Sequence, residues 1–285
     1  MQLNYLTEKS LKEFIKLALK EDVGDGDHSA LACIPENKQS KAHLLIKDDG
    51  ILAGVEMAER IFHQFDPQLK LNIMMTDGTP MKKGDIAFEV KGSARSILTT
   101  ERLVLNCMQR MSGIATYSQY LSSLISTSKA RLLDTRKTTP NFRIAEKWAV
   151  AIGGGQNHRF GLYDMIMLKD NHIDYAGSIK KAIRDTKKYL DKLGKTLEIE
   201  VETRTIDEVK EVIEAGGVDV IMLDNMMPSV MKEAVALING QFKIEASGGI
   251  TENNIAEVAD CGVDYISIGA LTHSVRSKDM SLKAI

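Results

Sequence analysis

The feature that most constrains this chain is an alternation that begins after residue 130 and runs almost to the C-terminus. The apolar runs are RLLDT (131–135), DMIMLKD (164–170), LEIEVET (197–203), VDVIMLD (218–224), FKIEAS (242–247) and VDYISIG (263–269). Between them lie stretches such as SIKKAIRDTKKYLDKL, IDEVKEVIEAG, SVMKEAVALING and NNIAEVADCG, whose apolar residues recur at helical spacing. Near-continuous apolar strands alternating with amphipathic helices predict a parallel sheet covered by helices. Six such units, with a seventh expected near 149–152, point to a barrel, with a doubly wound open sheet as the alternative.

The first part of the chain has a different rhythm. Leu11, Phe14, Ile15, Ala18 and Leu19 predict a helix that the acidic, Gly-rich EDVGDGDHS ends. From 40 to 95, AHLLIKDDGILAGVE, LKLNIMMTDGTP and GDIAFEVKGS read as strands joined at Asp-Gly turns, with VEMAERIFHQF as a helix among them, hence a small α+β domain. A helix is predicted over 97–126, capped by Thr99 and Thr100 and bent at Gly113. The expected domains are 1–112 and 113–285, with the C-terminal tail packing back on the first.

With 37 basic and 39 acidic residues the net charge is -2, so no global field favours nucleic acid or an anionic membrane, and any affinity for anions must be local. No apolar run has the roughly 18 residues a transmembrane helix needs, and the polar N-terminus lacks a secretory core, so a cytoplasmic protein is expected. Cys33, Cys107 and Cys261 are far apart and fit reduced, buried thiols rather than a zinc site.

Chemistry-bearing residues collect where the predicted strands end: Asp134, Thr135, Arg136 and Lys137; Lys169 to Asn171; Glu200 and Glu202; Asp224 and Asn225; Ser247, Gly248 and Gly249; Ile268, Gly269 and Ala270. In a barrel of parallel strands these ends share one rim, where active sites lie. Arg136, Lys137, Arg159 and Lys169 give that rim cations suited to carboxylate or phosphate. His158 and His172 read either as ligands or as structural residues, and Arg143 and Lys147 as the exposed face of a helix start. SGG after one strand and SIGA after the next suit the late-strand phosphate site of barrels. Glu200, Glu202 and Asp224 suit Mg²⁺ held between protein and phosphate oxygens, or salt bridges to the rim cations.

The block LLDTRKTTPNFRIAEKWAVAIGGGQNHRFGLYDMIMLKDNH resembles the signature of the quinolinate phosphoribosyltransferase (nicotinate-nucleotide pyrophosphorylase, carboxylating) family. TERLVLNCMQRMSGIAT, IEVET, VIMLDN, IEASGGI and VDYISIGALTHS are similar to its other motifs, in the same order. The resemblance implies an N-terminal α/β sandwich, a C-terminal open α/β barrel, and a homodimer. The implied reaction joins quinolinate to 5-phosphoribosyl-1-pyrophosphate with Mg²⁺, giving nicotinate mononucleotide, pyrophosphate and CO₂, a step of de novo NAD biosynthesis. By the same resemblance Arg102 is donated across the dimer to quinolinate. Thr135, Arg136, Lys137, His158, Arg159 and Lys169 bind substrate, with Lys137 and Lys169 also catalytic. Glu200 and Asp224 face the ribose and hold Mg²⁺ directly or through substrate or water. Ser247, Gly248, Gly249, Ile268, Gly269 and Ala270 form the phosphate loops. A longer segment before Asp224 leaves Glu200 or Glu202 as the functional acid, with Glu200 preferred. Asn141-Phe142 stands where the family has Gly-Leu, and Asn keeps a left-handed turn available. The rival readings are a phosphoribosyltransferase for another aromatic acid, a Schiff-base lyase using Lys169 or Lys137, and a non-catalytic anion-binding barrel.

Overall fold

A computed structural model describes residues 3–285. The chain opens with α1 (Glu8–Val23), α2 (His28–Cys33), β1 (Gln39–Ile46), β2 (Gly50–Ile51), α3 (Val55–Phe65), β3 (Lys70–Ile73), β4 (Pro80–Met81), β5 (Ile86–Ser93) and α4 (Ala94–Leu124). There follow β6 (Arg131–Leu133), α5 (Arg143–Ile152), β7 (Ile166–Leu168), α6 (Asp170–Ala176), α7 (Ile179–Leu193), β8 (Ile199–Thr203), α8 (Ile206–Ala215) and β9 (Val220–Asp224). The chain closes with α9 (Pro228–Ile238), β10 (Lys243–Ser247), α10 (Ile255–Ala259), β11 (Tyr265–Ser267), α11 (Ala270–His273) and β12 (Met280–Ala284). They form two compact units: residues 1–119, 137–154 and 270–285, and residues 120–136 with 155–269.

The first unit is an α/β sandwich. An antiparallel sheet runs in the order β12-β1-β5-β3, so the last strand of the chain completes the edge beside β1. Helix α3 turns Val55, Met57, Ala58, Ile61 and Phe62 inward, and the Phe62 ring meets Phe88 of β5 edge-on, with centroids 6.0 Å apart. Helix α4 binds this unit through hydroxyls: Ser112 accepts from the Ala53 N–H and Thr116 from the Ile51 N–H, both at 2.9 Å. The helix starts at Ala94, ahead of Thr99 and Thr100, so neither threonine is a cap; the Thr100 hydroxyl donates back to the Ser96 carbonyl at 2.7 Å. It also continues through Gly113, where a Cβ would overlap the Arg276 carbonyl oxygen; this glycine admits a neighbouring backbone instead of marking an end.

The second unit is a parallel sheet in the order β6-β11-β10-β9-β8-β7. From β7 to β11 each strand lies beside its predecessor, and β6, the earliest, joins beyond the last. A doubly wound sheet would reverse its strand order at a switch point; none occurs, so the winding is that of an open barrel. At the free edge of β6, Gln156 makes a parallel bridge with Leu133, its N–H reaching Leu132 O at 2.8 Å and its carbonyl accepting from Asp134 N–H at 3.1 Å. The seventh strand expected near 149–152 is therefore absent. Residues 143–152 form α5, a helix of good helix formers buried all round from Ile144 to Val150.

Register assigns the faces of this sheet. Met167 pairs with Glu200 and Glu200 with Val220; Glu202 pairs with Met222, Met222 with Glu245 and Glu245 with Tyr265. Paired residues share a face and alternate residues return to it, so Lys169, Asp224, Ser247 and Ser267 belong to the same side. The opposite side carries Val201, Ile221, Leu223, Ile244, Ala246 and Ile266, all buried, and seats the helices. One face is thus apolar and structural, and the other brings polar groups into the interior of the winding. Among the described residues no helix is long and apolar enough to cross a membrane.

Candidate active site

Because every strand of the second unit points the same way, Thr135, Arg136, Lys169, Asp224, Ser247, Gly248, Gly249, Ile268 and Gly269 emerge at one end of its sheet. Arg136 and Arg159 stand close enough that the charge of Arg136, after burial, helps hold the Arg159 guanidinium below its ordinary pKa. Arg159 is braced by the Met165 carbonyl at 3.3 Å, and the buried Nε of Arg136 has no hydrogen-bond partner. Two neighbouring guanidiniums with an unused donor are costly alone and favourable beside an anion. Lys169, exposed, reaches Glu202 Oε2 at 3.5 Å. The segment before Arg159 is held by the buried Asp134, which accepts from Asn157 Nδ2 at 2.6 Å and from the His158 N–H at 2.9 Å.

The carboxylates divide into two levels. Asp224 ends β9, half-buried, with Asn225 Nδ2 donating to it at 2.8 Å. Glu200 lies deeper, level with Val220, and Asp224 is about 13 Å farther along the strand direction at ~3.3 Å per residue. One cation cannot take oxygens from both directly, which leaves the route through substrate or water that the resemblance also implies; Glu202, whose pairing partner is Met222, is nearer Asp224. Glu200 instead meets His158 and Glu245 inside the sheet. Its Oε2 is 2.8 Å from His158 Nε2, and Glu245 Oε2 lies 3.5 Å from the same nitrogen. Burial pushes the Glu200 carboxyl up to about 7 and that of Glu245 up to about 8, the second raised further by the charge of the first.

The turn after β10 is shaped by backbone. Gly248 and Gly249 take φ of +88° and +62°, and a Cβ on Gly248 would overlap the Asn225 side-chain amide. Asn225, itself at φ +53°, donates its N–H to Ser247 O at 2.8 Å and so joins the ends of β9 and β10.

The sequence and fold match known relatives. The quinolinate phosphoribosyl transferase N-terminal domain matches residues 27–112, and its C-terminal domain matches residues 114–283. The chain belongs to the quinolinate phosphoribosyltransferase family. It is 48% identical over 288 residues to the quinolinate phosphoribosyltransferase (decarboxylating) 2b, mitochondrial, of Nicotiana tabacum, covering 96% of this chain and 82% of that one. It is 41% identical to the probable nicotinate-nucleotide pyrophosphorylase (carboxylating) of Bacillus subtilis strain 168, with 95% and 92% covered. Its fold matches the nicotinate-nucleotide pyrophosphorylase structure from Francisella tularensis with a TM-score of 0.91 at 38% identity, covering 100% and 99%.

Within the family signature the remaining candidates fall as follows. Arg102 is an exposed residue of α4, in the first unit. Lys137 and Ala270 also belong to that unit, where Thr272 Oγ1 donates to the Lys137 carbonyl at 2.8 Å. Asn141 adopts φ +61°, the left-handed turn that the Gly-Leu departure asks of it. Arg143 Nε donates to Thr138 Oγ1 at 2.9 Å. Lys147 is fully buried, contrary to the exposed helix face expected. Its neighbour Glu146, buried too, accepts from Thr139 N and Oγ1 at 2.9 and 3.0 Å and from Arg110 Nη2 at 3.0 Å. Arg110 also donates to the carbonyls of Thr272 and Val275. His172 caps α6, its Nδ1 accepting from the Lys169 N–H at 3.0 Å. Cys33 is exposed, whereas Cys107 and Cys261 are buried as expected. Sequence reasoning missed Glu245 and Glu146; a carboxylate inside an apolar strand (Ile244-Glu245-Ala246) was the available signal for the first, and an acid within a helix's apolar stripe for the second.

Proposed function

We infer that this chain transfers the phosphoribosyl group of 5-phosphoribosyl-1-pyrophosphate to quinolinate and releases CO₂, forming nicotinate mononucleotide and pyrophosphate. Family membership supports the reaction, and the observation that carries it to this site is the Arg136–Arg159 pair with its unused buried donor. Quinolinate brings two carboxylates on adjacent ring carbons, a planar dianion that two guanidiniums match. The Ser247-Gly248-Gly249 turn, with Ile268 and Gly269 just past the end of the next strand, suits the 5′-phosphate, since left-handed glycines let backbone approach a ligand closely. Glu202 and Asp224 reach the same end of the sheet, where a carboxylate would steady the positive charge that builds on the ribose as the C1–pyrophosphate bond breaks. The ring nitrogen forms the new bond to C1. The resulting pyridinium takes up the electron pair left when the adjacent carboxylate departs as CO₂, and a proton then fills that ring carbon. The protein's part is positioning and charge, and no residue serves as a nucleophile.

Mg²⁺, which the family resemblance implies, fits Asp224: one half-buried carboxylate at the rim, supplemented by substrate oxygens, is how this ion is commonly held. When bound it would neutralise the departing pyrophosphate. Within the same reading the active unit is a homodimer, with Arg102 of each chain completing the quinolinate site of its partner.

The test is direct. Purified chain given both substrates and Mg²⁺ should release nicotinate mononucleotide and CO₂ in equal amounts. A folded preparation that makes neither overturns the reading. Arg159→Ala should weaken quinolinate binding by about 2–5 kcal/mol, the cost of leaving a carboxylate unpaired.

A further inference from the structure

Beneath the rim, three titratable side chains meet inside the sheet: His158, Glu200 of β8 and Glu245 of β10, with ligating atoms all within 4.8 Å of one another. Their side chains are at most 7% exposed. Three such groups could serve as a metal site, but the hydrogen bonding of His158 argues otherwise. Its Nδ1 accepts the Arg159 backbone N–H at 2.7 Å, so the ring proton resides on Nε2. An Nε2–H donates to Glu200 Oε2, at 2.8 Å, and is not a ligand atom. Glu245 closes the cluster from β10: its Oε2 lies 3.5 Å from the same Nε2, and its carboxyl faces that of Glu200 within 4.8 Å, so it limits where the Glu200 carboxylate can sit against the ring. The groups facing this cluster are Arg159, Lys169, Glu202 and Ser267, and the two cations among them favour a charged Glu200.

We propose that Glu245 is a positioning residue: through Glu200 it fixes the ring of His158, and through His158 the backbone of Arg159, so that the guanidinium meets the substrate anion in one pose. The kinetic half of this rests on the phosphoribosyl-transfer reading; the structural half does not. Burial of an acid in a barrel interior is hard to account for by packing alone, because a leucine would fill the space without a desolvation cost.

The test uses full-length chain labelled with ¹⁵N-histidine, the His158 signal being assigned by its loss in His158→Asn. Wild type should show His158 as a single Nε2–H tautomer at neutral pH. Glu245→Gln, which keeps the shape of that side chain, should keep that tautomer. Glu245→Leu should lose it and lower kcat/KM for quinolinate by roughly tenfold or more, the scale of a lost bond to a charged group. The KM for the phosphoribosyl donor should move much less, and Glu245→Gln should restore most of the loss. Should Glu245→Leu fail to fold, Glu245→Asp, which withdraws the carboxyl by one methylene, takes its place with the same readouts. An Nδ1–H tautomer in wild type, or a folded Leu or Asp variant with unchanged His158 signal and unchanged quinolinate kinetics, overturns the proposal. If the tautomers behave as expected in a chain with no activity on quinolinate, the assigned reaction fails and the hold on His158 stands.

Discussion

Glu200 and Glu245 have almost no contact with water, and this gives the protein a pH signature separate from its chemistry. Both carboxyls sit above their ordinary value of 4.5 because burial disfavours the charged form. In the unfolded chain they ionise near that ordinary value, so between it and the folded values the native state holds more protons. The stabilisation is therefore complete below about 4.5 and is lost as pH rises through about 7 for Glu200 and about 8 for Glu245. We expect urea unfolding free energies to fall across that interval, by at most about 1.4 kcal/mol per pH unit for each group. Glu245→Gln should flatten the decline, because one titrating carboxyl is gone. Equal slopes in wild type and variant would mean that Glu245 is ionised in the folded protein at neutral pH. Lys147 makes the same residue-level point: helical spacing places a side chain on a face but does not reveal what covers that face, so its burial was not readable from RIAEKWAVAI.

Elements were the most legible level, and their failures have identifiable causes. Each of the six apolar runs after residue 130 contains a strand, because short runs rich in Val, Ile, Leu and Met, with an apolar residue at least at every second position, fit a sheet covered on its apolar face. The helix boundary at α4 was misread because Thr99 and Thr100 have the chemistry of caps, while the helix begins straight out of β5 at Ala94. Gly113 was read as a bend because glycine disfavours helices, yet its role is to admit the Arg276 backbone. On propensity alone Gly113→Ala should stabilise an exposed helix by about 1 kcal/mol. Here the methyl meets a carbonyl oxygen that cannot yield as a flexible side chain would, so we expect the melting temperature to fall. A rise would show that the 275–276 segment shifts freely. Gly248→Ala combines a left-handed φ with a clash against Asn225, and should cost about 1–3 kcal/mol of strain. Its larger effect should be on the KM for 5-phosphoribosyl-1-pyrophosphate, since the turn between Ser247 and Gly249 is the proposed phosphate cradle. An unchanged KM in the folded variant would place the phosphate elsewhere.

For the whole molecule, the order of strands decided between the two architectures the sequence left open, because it depends on which strand β6 joins and no local pattern encodes that. The shared rim was legible for the same reason that the barrel was: in a parallel sheet, the residue after each strand is placed by the fold, so Arg136, Lys169, Asp224 and Gly248 needed no further information. Depth along a strand was not legible: register sets Glu200 about 13 Å short of Asp224 and Glu202 only two residues short of it, a difference that strand-end position in the sequence does not show. Assembly is the level at which sequence pattern says least, and the proposed dimer makes a quantitative statement there. Arg102→Ala changes an exposed helical residue to the best helix former, so the variant should fold normally and lose quinolinate binding. Lys169→Ala should be inactive from within the other unit. If each site takes Lys169 from one chain and Arg102 from its two-fold partner, a mixed dimer of the two variants has one intact site and one doubly defective site. Random exchange makes half the dimers mixed, so an equimolar mixture of two inactive proteins should recover about one quarter of wild-type activity. Native mass spectrometry measures the exchange independently. Full exchange with no recovered activity would confine each site to a single chain, with Arg102 and Lys169 acting in the same one.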